Sequence, residues 1–325
     1  MQLIVVLHHV FLLFCMTNSI RAVSLVKIPI REPLMLVKVF SILFPVFALA
    51  GAGFAVGHFL KPDFKPINRI NMDVFLPALV FSSLATMPLD ANQLPLIYAS
   101  VIAVLVPGLV MIPVCRFYHL PFKTWAPPHM FRNSGNLAIP LFSYTFGAAA
   151  QSSAVLLFVM SACIHISLGL ALLSKGSSLL HIFRMPVFIA AFAAVTCNLS
   201  GVIVWQPLLE ASALLGQAAV PVMLLSLGAQ MVNLKLDGLK VGVIATLQSL
   251  LTGLIAFLII YYFVPLPALQ MQMMVLFTML PAAVMNYLFA ERFHIEPDKV
   301  ASIVLFGNFF SLFSLPALLW FALTI

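Results

Sequence analysis

The chain has 325 residues, 63% of them hydrophobic and only 8% charged, with a formal net charge of +7. A soluble domain carries about one charged residue in four, so this composition, with a mean hydropathy of +1.14, excludes an ordinary soluble enzyme or binding module. The pI near 9.4 does not point to nucleic acid, because the basic residues lie in short loops and not on one face.

Residues 1–34 come first. Residues 2–20 are apolar enough for a signal-peptide core but lack the basic segment that normally precedes one. They read either as an extra helix or as the product of an upstream start codon, with Met35 as the working start. From there, apolar runs of spanning length recur ten times, at 36–58, 71–88, 94–115, 127–147, 151–174, 184–205, 214–234, 239–264, 270–290 and 300–323. Each has about 18–26 residues, enough for a hydrocarbon core of about 30 Å with some tilt. The expected fold is therefore an all-α membrane protein of ten transmembrane helices.

The charges sort by loop. Those after spans one, three, five, seven and nine hold Lys61, Lys65, Arg69; Arg116, Lys123, Arg132; Lys175, Arg184; Lys235, Lys240; and Arg292, Lys299. The even loops and the C-terminal tail hold none, so the odd loops read as cytoplasmic and both ends of the ten-span unit as outside. A plasma (inner) membrane location is expected. Arg21, Lys27, Arg31 and Lys38 precede or open span one and do not fit that pattern.

Short matches recur at nearly one offset. Pro45-Val-Phe47 in span one parallels Pro186-Val-Phe188 in span six, and Pro77 in span two parallels Pro221 in span seven. Ser153-Ala-Val-Leu156 in span five parallels Ser302-Ile-Val-Leu305 in span ten. Such self-similarity suggests duplication. Five spans is an odd number, so the second copy must enter from the opposite side, giving a 5+5 inverted repeat. The halves are residues 35–174 and 184–325, joined by a cytoplasmic linker at 175–183.

Spans four and nine are the unusual pair. Asn133 to Pro140 read Asn-Ser-Gly-Asn-Leu-Ala-Ile-Pro, a poor helix former inside a spanning segment, and Pro281 and Asn286 interrupt span nine. Unpaired backbone in lipid costs several kcal/mol, so it survives only inside protein or beside a cavity. Matched interruptions in two halves point to the substrate site of a secondary transporter. The expected site residues are Asn133, Ser134, Gly135, Asn136, Pro140, Pro281 and Asn286. Their amides, with half-helix N-termini aimed at the crossing, suit a carboxylate. No Lys or Arg is expected at mid-depth. Arg132 reads as an anchor at the cytoplasmic mouth of span four or as an attractor of anions there. The plainer alternative is that asparagines glue helices and prolines kink them.

Other residues carry less. His165 is the one ionisable group expected deep in a span, as a neutral, hydrogen-bonded core histidine or a proton relay. Asp73, Glu210 and Glu291 fall near span ends, where solvated or paired carboxylates are expected. Ala48, Gly51, Ala52 and Ala55 in span one suit close helix packing, within one chain or across a homodimer. Cys15, Cys115, Cys163 and Cys197 have neither metal-site nor disulfide spacing. No catalytic residues, metal ligands, cofactor or nucleic-acid partner are expected. The partners are a small organic anion and the bilayer. A solute channel is the alternative function, and an intramembrane enzyme a weaker one, because the deep positions offer no carboxylate pair.

At these residues the chain resembles the auxin efflux carrier family, which includes plant carriers and many bacterial permeases. The likeness rests on Asn133-Ser-Gly-Asn-Leu-Ala-Ile-Pro140, on Pro281 with Phe289-Ala-Glu-Arg292, and on Ser302 to Pro316. Ala138 departs from it, standing where the family usually has glycine. The resemblance implies a fold related to bile-acid/sodium symporters. Spans one, two, six and seven would form a scaffold, often paired into a homodimer, beside a mobile domain in which the broken helices cross. It also implies mono- or dicarboxylates or auxin-like acids as substrates.

Overall fold

The computed structural model describes residues 32–87, 91–173, 184–233 and 236–325. The residues before 32 and the whole expected linker at 175–183 lie outside this set. All described regular structure is helical: α1 (Glu32–Phe59), α2 (Lys65–Ile70), α3 (Leu76–Thr86), α4 (Leu94–Phe117), α5 (Phe122–Met130), α6 (Ile139–Phe146), α7 (Gln151–Leu173), α8 (Pro186–Leu199), α9 (Gln206–Gln230), α10 (Leu239–Phe263), α11 (Ala268–Thr278), α12 (Met285–Arg292) and α13 (Pro297–Ala322). Residues 37–325 form one compact unit.

Among the described residues, six helical stretches are long and apolar enough to cross a membrane: 37–59, 94–117, 134–173, 206–230, 236–263 and 297–322. The third is not one rod. Gly147, at φ +69, turns the chain between α6 and α7, a conformation open to glycine because it has no Cβ. The other apolar runs appear as shorter or interrupted helices. The expected sixth span, 184–205, is helical only over Pro186–Leu199, because the chain turns at Gly201 (φ +68). Helix α9 then begins earlier than the expected limit of 214, with Pro207 in its first turn, where a missing N–H costs nothing. Its polar first turns had hidden it; Gln206 there donates to Glu210 across one turn (3.0 Å).

Large apolar side chains cover the outside, including Phe40, Phe192, Ile203 and Phe263. An apolar surface this extensive needs a lipid solvent rather than water, and the chain is a multi-pass membrane protein. Most of the exposed charged side chains lie near helix ends. Asp73 pairs with Arg69 (3.5 Å), and Glu291 accepts from the Tyr287 hydroxyl (3.1 Å).

Two packing groups follow from the helix neighbours. Helix α3 packs on α8 and α9, while α4, α5, α11 and α13 gather around α10. Helix α7 touches both α3 and α4. Helix α1 lies against α9 at very close range: a Cβ on Gly53 would fall 2.0 Å from the Leu225 carbonyl oxygen, and one on Gly228 1.8 Å from that of Ala50. The close face is therefore Ala50, Gly53 and Gly57. Of the small-residue run expected to pack, Gly51 has nothing within 4 Å of its Cβ position.

Gly228→Val should force α1 and α9 apart at a cost of about 1–3 kcal/mol, typical of overpacking. The melting temperature of purified protein should fall by several degrees, while Gly51→Ala leaves it unchanged. Equal melting temperatures for both variants would show that this contact does not hold the helices together.

Candidate functional site

The two interrupted helices meet. Helix α5 ends at Met130 and is followed by 131–133, a wide π-type turn over Ser134–Ala138, and then α6. Helix α11 ends at Thr278, and α12 begins only at Met285. Pro281 has no N–H to continue α11 and disfavours helical geometry at Leu280 before it. Asn133, Ser134 and Gly135 are weak helix formers at the matching point.

Each interruption satisfies the other. The Asn133 N–H donates to the Pro281 carbonyl (2.8 Å), and the Ala283 N–H donates to the Phe131 carbonyl (2.9 Å). Together they make an isolated antiparallel bridge between Arg132 and Ala282. Asn286 Nδ2 adds a bond to the Phe131 carbonyl (2.9 Å). Buried backbone groups need partners, and here the partners come from the opposite break. In the first turn of α12 the N–H groups of Asn286 and Tyr287 bond to the carbonyls of Ala283 and Val284.

Arg132 supplies the larger correction. It is not an anchor in a loop; its side chain is among the largest fully buried ones. Nη1 donates to the Ser249 hydroxyl and to the Leu280 carbonyl (2.9 Å). Nη2 donates to the Ser249 carbonyl (3.0 Å) and the Thr252 hydroxyl (3.3 Å), while Nε has no partner among the described residues. Every acceptor is neutral. The ion pairs among the described residues are Arg69–Asp73 and Lys299–Glu296, so the buried guanidinium has no carboxylate beside it. The expectation of no cation at the crossing fails because Arg132 points inward from the break instead of outward from a loop.

Other expected residues divide. Asn133, Pro281 and Asn286 are brought together, and the Asn286 Oδ1 has no partner among the described residues. Ser134, Gly135 and Asn136 fall in the wide turn; Gly135 faces Phe158 on α7. Pro140 lies in the first turn of α6, beyond the interruption, which begins two residues earlier than its motif suggests. His165 is buried with its ring stacked on Phe131 (4.0 Å between centroids) and edge-on to Phe289 (5.3 Å), and its Nε2 has no partner among the described residues.

Several residues escaped the sequence reading. Asn308 on α13 accepts from Asn133 Nδ2 (2.8 Å) and donates to the Ala282 carbonyl (3.1 Å), bracing both breaks at once. Its signal was a lone asparagine inside span ten. His129, fully buried, and Ser249 line a small cavity with Thr246, Pro281, Ser311 and Ser314. The cavity measures about 20 Å³, room for about one water. At one end of the site, Thr124 donates to Glu296 (2.6 Å), joining the start of α5 to the loop after α12. Lys299 first and Thr124 second hold the Glu296 carboxyl below its ordinary range.

No group of three or more histidines, cysteines or acids able to hold a metal ion occurs among the described residues. Residues 170–319 match a family described as membrane transport protein. The matched stretch contains α8 to α12 and most of α13, so it covers the second interruption with Ser249, Asn286 and Asn308. No curated protein matches the chain. The match suggests a membrane transporter and not an enzyme.

Asn308→Ala strips the partner from Asn133 Nδ2 and one from the Ala282 carbonyl. Leaving buried polar groups unpaired costs about 1–3 kcal/mol, so its melting temperature should fall clearly below that of Ser314→Ala, a change at the half-exposed cavity rim. A melting temperature equal to wild type would mean that Asn308 does not brace the breaks.

Proposed function

We propose that this protein is a secondary membrane transporter that carries a small organic anion, such as a carboxylate or auxin-like acid, by alternating access. The observation that carries this reading is Arg132, a buried guanidinium at the meeting of two interrupted helices with only neutral acceptors around it. Burying an unpaired charge costs several kcal/mol, and such a residue in a membrane protein is retained where it serves a substrate. A carboxylate is the natural partner, because its two oxygens match the planar fork of arginine. Asn286 Oδ1 and the hydroxyls of Thr246, Ser249, Ser311 and Ser314 offer neutral contacts to the rest of a small polar solute.

A site with room for about one water must open to admit such an anion. The two packing groups supply the parts: α1, α3, α8 and α9 as a scaffold, and the helices around α10 with the crossing as the moving body. In each half a long helix (α4, α10) leads into an interrupted pair (α5–α6, α11–α12) and then a second long helix (α7, α13). That order supports ten crossings arranged as a 5+5 inverted repeat. Taking Arg132 out of the loop tally leaves exposed Arg116 and Lys123 in the third loop. The alternation still favours cytoplasmic odd loops, ends facing outside and a plasma-membrane location. A homodimer through the scaffold fits the same arrangement.

The test is uptake of radiolabelled small carboxylates into vesicles containing the protein, with acids first ranked by their ability to raise its melting temperature. Arg132→Gln should lower uptake at least tenfold at equal membrane abundance. Arg132→Lys, which keeps the charge and loses the fork, should fall between. Uptake by Arg132→Gln at the wild-type rate would remove Arg132 from the site and with it this reading.

A further inference from the structure

His129 sits one helical turn before Arg132, buried completely on the last turn of α5. Its Nδ1 lies 2.6 Å from the Trp125 carbonyl oxygen. A carbonyl only accepts, so Nδ1 carries a proton, and in the neutral ring Nε2 is left as a bare acceptor. That Nε2 has no hydrogen-bond partner among the described residues, and the residue lines the same cavity as Ser249, which itself accepts from Arg132. Ala245 of α10 lines the same cavity. His129 and space for about one water thus share one cavity, and the Ser249 hydroxyl in its wall links it to the Arg132 guanidinium.

The surroundings isolate this pair. On the elements packed against α5, the other titratable or charged groups near its level are Cys115 and Arg116 on α4, Cys163 and His165 on α7, Lys240 on α10, Tyr287, Glu291 and Arg292 on α12, and Asp298 and Lys299 on α13, with Lys123 on α5 itself and Glu296 in the loop. The lysines, arginines, Asp298 and Glu291 among these are exposed. Arg132 is the one whose charge acts on His129.

Building on the anion site proposed above, we propose that the anion travels with one proton, held on His129 Nε2. The empty site carries the single charge of Arg132. A monovalent anion alone would cancel it, whereas an anion with a proton restores it, so the site has the same charge on its loaded and empty journeys. Two cations side by side in a low-dielectric pocket oppose each other, and an anion between them removes that opposition. Binding is reciprocal: if the anion promotes protonation of His129, the proton promotes anion binding by the same factor. The proton enters from water on the loading side and leaves on the other with the anion. No bond other than N–H forms or breaks. Net transport then follows the pH gradient and is insensitive to the membrane potential.

Sodium formate, the smallest carboxylate and ionised throughout this range, is the probe, against sodium chloride at equal ionic strength. Thermal stabilisation of the purified full chain is measured at pH values from about 5.5 to 8, and a pH-indicator dye in weakly buffered protein reads proton uptake as formate is added. The proposal expects the apparent formate affinity to fall by up to about tenfold per pH unit, with close to one proton taken up per formate bound. In His129→Gln, formate should still stabilise but with no pH dependence, and in Arg132→Gln formate should have no effect. If wild-type protein binds formate equally at every pH with no proton uptake, the proton proposal is overturned while the anion site stands. If formate has no effect beyond chloride at any pH, both are overturned. The dye measurement uses wild-type protein, so it decides even where His129→Gln does not fold.

Discussion

Two hydrogen bonds between the interruptions, Asn133 N–H to Pro281 and Ala283 N–H to Phe131, set the rest of the site. Lipid supplies no partners for freed backbone, so one break could not persist without the other. Their pairing fixes Arg132 and Ala282 opposite each other and turns the arginine side chain toward α10, where Ser249 and Thr252 receive it. Asn308 on α13 then bonds to both sides of the bridge and makes it part of the helix bundle. Remove the pairing and neither the buried cation nor the cavity beside it has a reason to exist.

The energetics of that cation connect fold to function. Four N–H groups of the Arg132 guanidinium meet neutral acceptors and one meets none, so its hydrogen bonding is largely satisfied while its charge is not. Neutral acceptors offset part of a desolvation cost that runs to several kcal/mol; an anion would offset more. Because serine and threonine hydroxyls already occupy the fork, a carboxylate arriving as proposed would exchange bonds instead of filling a vacuum. Such an exchange would favour moderate affinity and release, as the proposed carrier cycle requires.

The interruptions themselves were legible in the sequence, because proline and an Asn-Ser-Gly run act on the backbone locally and leave their mark wherever they fall. Apolar length made the long helices legible in the same way. Residues whose meaning depends on which helix lies opposite were not legible. Asn308 is a single polar residue in an apolar run until α13 is laid against both breaks. Ser249 and Thr252 are unremarkable until Arg132 reaches them. Arg132 was misread because counting charges by loop treats any arginine near the end of an apolar run as exposed, and the break begins two residues before its most conspicuous motif. The neighbouring His129 and Asn133 were the available signal: three polar residues within one turn and a half of a spanning segment are costly unless they serve a common site.

The most direct measurement is an experimental structure determined with a saturating small carboxylate. The account predicts the anion within hydrogen-bond reach of the Arg132 guanidinium, displacing Ser249 or Thr252 from the fork, in a cavity larger than the present one. An anion bound elsewhere, with Arg132 still holding its four neutral acceptors, would contradict it.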